Sequence, residues 1–215
     1  MGDAVCIKRQ PAAHPARPWR WKSDQRIIRA RLLPLATMSA LPSSTVPAPR
    51  PFALPGGEVA TLRPIAPDDL AIETAFVNGL SAETSYQRLF STRRPGPEEI
   101  RRWTHVDQRC EVAWIAVVRR EGADLMLGVA RYVRVNCGEE AEFAIVLADA
   151  AQRSGLGRAL LGILIEAARA AGIRALWGTT FTTNVGMLRL GRALGFHAGR
   201  EPGDTMLARL RLPLD

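Results

Sequence analysis

The chain has 215 residues, 47% of them hydrophobic and 23% charged. These are the proportions of an ordinary globular protein and exclude a wholly disordered, collagen-like or disulfide-scaffold chain. A formal charge of +8 and a pI near 10.6 invite a nucleic-acid or anionic-surface partner, but the charge is segregated. Residues 1–50 carry nine basic residues against two acids, and residues 51–215 carry 20 arginines against 19 acids.

The first fifty-five residues hold nine of the fifteen prolines. The stretch 41–51, with prolines at 42, 47, 49 and 51, reads as an extended linker that sustains neither helix nor sheet. Residues 1–55 are therefore expected to be a disordered, basic, Pro-rich leader. It reads as a basic arm, a weak organelle transit peptide, or a segment upstream of a true start at Met38. No apolar run approaches the ~20 residues that a membrane span needs, and no secretory signal is present.

From residue 57 the pattern is regular. Glu58–Arg63 alternates into a short strand. Pro67-Asp-Asp opens a helix with acids in its first turn, running to Gly79. Ser81-Ala-Glu-Thr caps a second helix through Phe90, and Pro97-Glu-Glu opens a third to His105. Two strands follow, Glu111–Arg119 and Leu125–Arg134, joined by a turn at Gly122. Glu140–Leu147 is a third strand with Ala141, Phe143, Ile145 and Leu147 on one face. Then come a helix over Gly155–Ala171, a strand over Ala175–Phe181, a helix over Asn184–Leu194 and a last strand over Thr205–Leu212. Helices between strands in the second half require a sheet covered on both faces. The fold class is α/β in the broad sense (α+β), and the domain spans residues 56–215.

Cys6, Cys110 and Cys137 are an odd set without metal-ligand spacing, and His14, His105 and His197 are far apart. The expectation is no metal site, and free thiols in a reducing, cytoplasmic compartment. Neither nucleic acid nor membrane is expected as a partner, and the oligomeric state is left open.

The informative stretch runs from Glu142 to Arg158. A strand passes through Gln152, Arg153 and Ser154 into Gly155, Leu156 and Gly157, which open a helix. The glycines allow a tight turn with consecutive N–H groups directed inward, and the helix adds unpaired N–H groups and the positive end of its dipole. The product is a cradle for a phosphate or pyrophosphate, with Arg153 and Arg158 adding charge. Neither a P-loop nor a dinucleotide-binding fingerprint is present.

Gln152-Arg-Ser-Gly155-Leu-Gly157 fits the Q/R-x-x-G-x-G/A signature of the GNAT acetyltransferases. The run Asn184-Val-Gly-Met187 to Leu194-Gly195-Phe196 resembles that family's second CoA-side motif. The resemblance covers roughly residues 58–212. It is nearest to the acetyltransferase domain of bacterial Pat-type protein lysine acetyltransferases through Leu62–Asp69, Gly79–Phe90, Gly128–Tyr132 and Ala141–Val146. It implies a GNAT fold with a mixed, mostly antiparallel sheet, and acetyl-CoA as cosubstrate. The pyrophosphate would sit on residues 152–158, and the pantetheine arm on backbone groups of Ile145, Val146 and Leu147 where the strand parts from its neighbour. Asn184 either caps its helix or also reaches CoA.

Acyl transfer to an amine needs a base, because amines arrive protonated. Glu142, alternating with Ala144 and Val146 on a central strand, is the candidate, and Pat-type enzymes use a glutamate on this strand; the competing reading is an exposed strand-end glutamate beside Glu139 and Glu140. Many family members carry a tyrosine seven residues after the asparagine as general acid. Gly191 stands there in this chain, as a non-tyrosine does in Pat-type enzymes. The expected function is transfer of an acetyl group to a primary amine, first of all a protein lysine, in a ternary complex. A small-molecule amine acetyltransferase and a non-catalytic CoA-binding sensor are the alternatives.

Overall fold

The computed structural model describes residues 47–90, 92–135 and 138–214. All of these lie within the compact unit spanning residues 33–215. The expected leader, the basic segment 26–35 and Met38 fall outside the described residues.

Eight strands form one sheet in the order β1-β2-β3-β4-β5-β6-β8-β7. They are β1 (Arg50–Ala53), β2 (Val59–Pro64), β3 (Glu111–Arg120), β4 (Ala123–Arg134), β5 (Glu140–Leu147), β6 (Ala175–Phe181), β7 (His197–Glu201) and β8 (Asp204–Pro213). Five helices accompany them: α1 (Leu70–Gly79), α2 (Ala82–Leu89), α3 (Pro97–Thr104), α4 (Leu156–Ala170) and α5 (Val185–Ala193). Every strand pair is antiparallel except β5–β6. That parallel pair is joined by the α4 crossover, as parallel neighbours require.

The expected elements from Glu58 onward form within a few residues of their expected ends. Two strands were missed. β1 pairs with β2 from Arg50 to Ala53, inside the stretch expected to be linker, so the sheet begins six residues before the expected domain boundary. Pro51 is tolerated because β1 is an edge strand, where a missing N–H need break no ladder. β7, with four of its five residues exposed, has no alternation of apolar residues to announce it.

Two apolar layers sandwich the sheet. On one face α4 buries Leu156, Leu160, Leu161 and Leu164 against Trp114, Phe143, Leu176 and Leu210. On the other, Phe76 of α1 and Leu80 just after it cover Ile115, Val129 and Val146. Period-2 alternation along β5 sends Phe143 to the α4 layer and Val146 to the α1 layer, so Glu142 and Ala144 share the α1–α2 face.

The feature that shapes the site is the brevity of the β5–β6 pairing. The strands pair over three positions, Glu140 with Ala175, Ala141 with Leu176 and Glu142 with Trp177. Beyond them β5 continues beside β4 to Leu147 and β6 continues beside β8 to Phe181, leaving a wedge-shaped gap. Gly178 stands at its apex. A Cβ there would lie 2.8 Å from the Phe143 ring and 2.9 Å from the Phe143 carbonyl oxygen, so only glycine permits this approach.

Cys110 is disulfide-bonded, which corrects the expectation of free thiols. It sits where β3 begins, and its carbonyl accepts the Arg134 N–H at the end of β4. This bond brings the open ends of the β3–β4 hairpin together in a way that cysteine spacing does not reveal. The partner lies outside the described residues.

Two alanine substitutions should move stability in opposite directions. Gly178→Ala drives a methyl into backbone and should cost about 1–3 kcal/mol. Gly162→Ala, in the interior of α4 with open space around it, should gain about 0.5–1 kcal/mol. Urea unfolding of both variants checks the pair.

Candidate active site

The loop from β5 to α4 builds the cradle the sequence suggests. A 3₁₀ turn over Asp149–Ala151 is followed by Arg153 at φ 62° and Gly155 at φ 87°. Gly155 is the N-cap of α4; its left-handed backbone is the one a side chain would strain. The Ser154 hydroxyl donates to the Ala151 carbonyl and accepts the Leu156 N–H. The N–H groups of Arg153, Ser154, Gly155 and Gly157 find no protein acceptor among the described residues. Consecutive free N–H groups at the positive end of a 15-residue helix form an anion-binding concavity. Arg153 and Arg158 are exposed beside it. Gly157 is buried, with Leu147 3.3 Å from the place of its missing Cβ, so the start of α4 packs directly on the end of β5. Gln152 is exposed, and its amide donates to the Thr84 hydroxyl.

Toward the wedge, Ile145, Val146 and Leu147 pair with β4 on one edge and have no β6 partner on the other. That second edge offers backbone donors and acceptors to an extended ligand arm. Val146 is buried in the α1 layer, while Ile145 and Leu147 are partly buried against α4. On the far side of the gap, Asn184 caps α5: its carbonyl oxygen accepts the Met187 N–H at 3.0 Å. Its amide nitrogen donates to Gln87 at 3.1 Å. Gly191, in place of the family tyrosine, is buried with Leu210 3.1 Å from where a Cβ would stand. α5 lies too close to β8 there for a larger side chain.

Glu142 occupies the last paired position before the strands part. It is partly buried and forms no hydrogen bond or ion pair among the described residues. Burial raises its pKa above the usual carboxylate range, opposed by the positive charges of Arg209 and Arg88 and reinforced by Glu201. Arg209 is committed elsewhere: it makes two bonds to Glu201, at 2.6 and 2.9 Å, and lies over the Trp177 ring.

The sequence reading missed the role of α2 in crossing the gap. Asp149 accepts hydrogen bonds from the Ser81 N–H, the Ser81 hydroxyl and the Thr84 hydroxyl at 3.0, 2.8 and 2.7 Å. These bonds hold its carboxyl below the usual range. At the other end of α2, Tyr86 and Phe90 pack on Phe181 of β6 with ring centroids 5.1 and 4.9 Å apart. α2 is thus fastened to the cradle loop on one side and to β6 and α5 on the other. The Ser81 cap was legible; its partnership with a carboxylate 68 residues away had no local signal.

Among the described residues no group of histidine, cysteine and acidic side chains is arranged to hold a metal, and no helix is long and apolar enough to cross a membrane.

Comparison with known proteins places this arrangement. Residues 60–197 match the acetyltransferase (GNAT) domain family. An acetyltransferase of Pseudomonas aeruginosa is 32% identical over 164 residues, covering 75% of this chain and 87% of that protein. The crystal structure of the GNAT domain of S. lividans PAT superposes with a TM-score of 0.69 at 28% identity, over 77% of this chain and 97% of that one. A cAMP-binding acyltransferase from Mycobacterium smegmatis aligns with a TM-score of 0.54 at 25% identity, over 78% of this chain and 48% of that one.

Asp149→Ala should remove the anchor of α2, costing about 1 kcal/mol as for a lost helix cap, and should speed hydrogen exchange of the 82–90 amides. In the parent protein the anchor depends on an ionised carboxylate whose folded pKa is depressed. It is therefore present above the ordinary aspartate value of about 3.9 and lost as pH falls through the lower folded value. Exchange measured against pH should show α2 protected through that ordinary range.

Proposed function

We propose that this chain, which belongs to the GNAT acetyltransferases, moves an acetyl group from acetyl-CoA to a primary amine, with a protein lysine as the acceptor and Glu142 as the general base. The observation that carries the proposal is the position of Glu142: a partly buried, unbonded carboxylate at the last β5–β6 pair, beside the gap that fits the pantetheine arm. The pyrophosphate of CoA fits the free N–H groups of residues 153–157, with Arg153 and Arg158 closing around its charge. The arm then runs along Leu147, Val146 and Ile145 toward the apex, which brings the thioester next to Glu142. Gln152, Ser154 and Leu156 hold the shape of the cradle, and Asn184 holds the start of α5 on the opposite bank.

The chemistry follows from this placement. Glu142 takes a proton from the ammonium, directly or through water, and the neutral amine attacks the thioester carbonyl carbon. The new C–N bond forms as the carbonyl oxygen takes up negative charge, which free β5 N–H groups stabilise. The C–S bond then breaks, and the CoA thiolate leaves to be protonated by solvent. A raised pKa suits Glu142 to this work, because a base is most effective when its pKa approaches the operating pH. Gly191 supplies no acid, and a thiolate leaves without one.

Two features support a protein acceptor over a small amine. One is the likeness to the S. lividans PAT domain. The other is the mouth of the gap, where Tyr86, Val185 and Met206 are exposed at 43, 52 and 58% around the Phe181 end of β6. Exposed apolar groups clustered at a site mouth suit a docking macromolecule better than a small polar amine.

Glu142→Gln should keep CoA affinity by isothermal titration, lower thiol release by about 10²–10⁴-fold and abolish its rise with pH. Unchanged turnover across pH 6–9 would remove Glu142 from the role. Acetyl-CoA consumption against lysate proteins and a panel of small amines, with products identified by mass spectrometry, tests the acceptor: acetylated lysines support the proposal, and acetylated small amines alone overturn it. CoA binding without thiol release on any amine would leave a binding protein without transferase activity.

A further inference from the structure

Strand β1 lies at the edge of the sheet and has β2 as its ladder partner. Alternation sends Arg50, Phe52 and Leu54 to the side that α4 covers, and Phe52 and Leu54 pack on the apolar layer there. The Arg50 guanidinium lies 5.8 Å from the centroid of the Trp114 ring and donates to Glu166 of α4 at 2.7 Å. As an exposed ion pair this bond adds little stability; its effect is to fix the strand along the helix.

Phe52 reaches the cradle itself. The Cζ atom of its ring lies 3.6 Å from where a Cβ on Gly155 would stand, an ordinary van der Waals approach. Apart from the residues next to Gly155 in sequence, no other atom among the described residues comes within 4 Å of that place. The cradle requires such support. Arg153 at φ 62° and Gly155 at φ 87° both hold left-handed backbone, and Arg153 does so at a steric cost because it carries a side chain. A conformation of this kind persists only where its surroundings determine it. From α2, the Thr84 hydroxyl accepts the Gln152 amide at 3.3 Å and donates to Asp149 at 2.7 Å. Within the loop, Ser154 bonds Ala151 and Leu156. From the α4 face of the sheet, Phe52 backs Gly155.

We propose that Phe52 is a positioning residue for the nucleotide end of CoA: seated against Gly155, its ring keeps the free N–H groups of Arg153, Ser154, Gly155 and Gly157 aimed at one pyrophosphate. This rests on the cradle being the pyrophosphate site. It assigns a binding role to a strand that precedes the family-matched residues 60–197. Arg50, through Glu166, sets β1 along α4 so that Phe52 meets the start of the helix. Hydrogen bonds weaken steeply as they bend, so a cradle that relaxes at Gly155 holds the same phosphates less tightly.

Acetyl-pantetheine carries the thioester but no nucleotide and no pyrophosphate, so it does not use the cradle. The test compares, in the full chain, CoA affinity by isothermal titration and the ratio of kcat/KM for acetyl-CoA to that for acetyl-pantetheine. Phe52→Leu, which fills the apolar layer but ends short of Gly155, should raise the CoA Kd about tenfold, as for one misaligned bond to a charged oxygen. The ratio should fall by the same factor. Phe52→Met, whose side chain reaches as far as the ring, should return both values most of the way. A Phe52→Leu protein with the parent CoA affinity and the parent ratio overturns the inference. So does a fall in kcat/KM with both substrates that leaves the ratio in place, the mark of a merely structural phenylalanine. If the parent protein uses acetyl-pantetheine as well as acetyl-CoA, the cradle is not the pyrophosphate site and the inference falls with that assignment. If the parent prefers acetyl-CoA and Phe52→Leu keeps that preference, the inference falls alone. Where no amine gives turnover, the CoA titration decides: weaker binding by Phe52→Leu that Phe52→Met restores supports the inference, and unchanged binding overturns it.

Discussion

The rest of the structure depends on the parting of β5 and β6 after three paired positions. A sheet that stayed closed would satisfy its own backbone and leave nothing for an extended ligand arm to bond. A sheet that opened earlier would lose the parallel pair that α4 was built to connect. Gly178 sets the apex, because its missing side chain lets β6 meet the Phe143 carbonyl at close range before turning away toward β8. The wedge is therefore a consequence of one steric permission at the apex, and its two banks are stabilised separately by β4 and β8.

Opening a sheet in this way weakens the connection between its halves, and α2 answers that weakness. Its first turn is bonded to Asp149, and its last packs two aromatic rings on Phe181. The same helix that bridges the banks sets Gln87 against Asn184 at the start of α5. Substitutions in α2 therefore act on both banks of the wedge at once.

Much of this was legible in the sequence because it is local. The cradle follows from two glycines at a strand-to-helix junction. The face carrying Glu142 follows from alternation over 141–147, and the Asn184 cap follows from the residue preferences of helix starts. The hidden parts depend on distant partners. β1 and β7 are edge strands whose residues are mostly exposed, so burial leaves no periodic trace in them. The bond between Ser81 and Asp149 spans 68 positions, and the contact between Phe52 and Gly155 joins β1 to the start of α4. The disulfide at Cys110 belongs to the same class, since a hairpin closure, not a motif, decides its neighbourhood. Charge was the most misleading cue: the net +8 suggests a polyanion partner, whereas residues 51–215 are nearly balanced, with 20 arginines against 19 acids.

The strand order has a consequence for how the site comes into being. β8 follows every other element in sequence, yet it lies between β6 and β7. Until residues 204–213 are in place, β6 presents a bare edge, and the bank carrying Phe181 and Thr179 has no support. The meander β2-β3-β4-β5 is made of antiparallel neighbours whose chain order and spatial order coincide, so it is suited to early assembly. The wedge must wait for the final strand to be inserted. During biosynthesis the cradle and Glu142 are made first, and the wedge is completed at the last step, leaving a half-built sheet with an exposed edge as the species most in need of protection from aggregation.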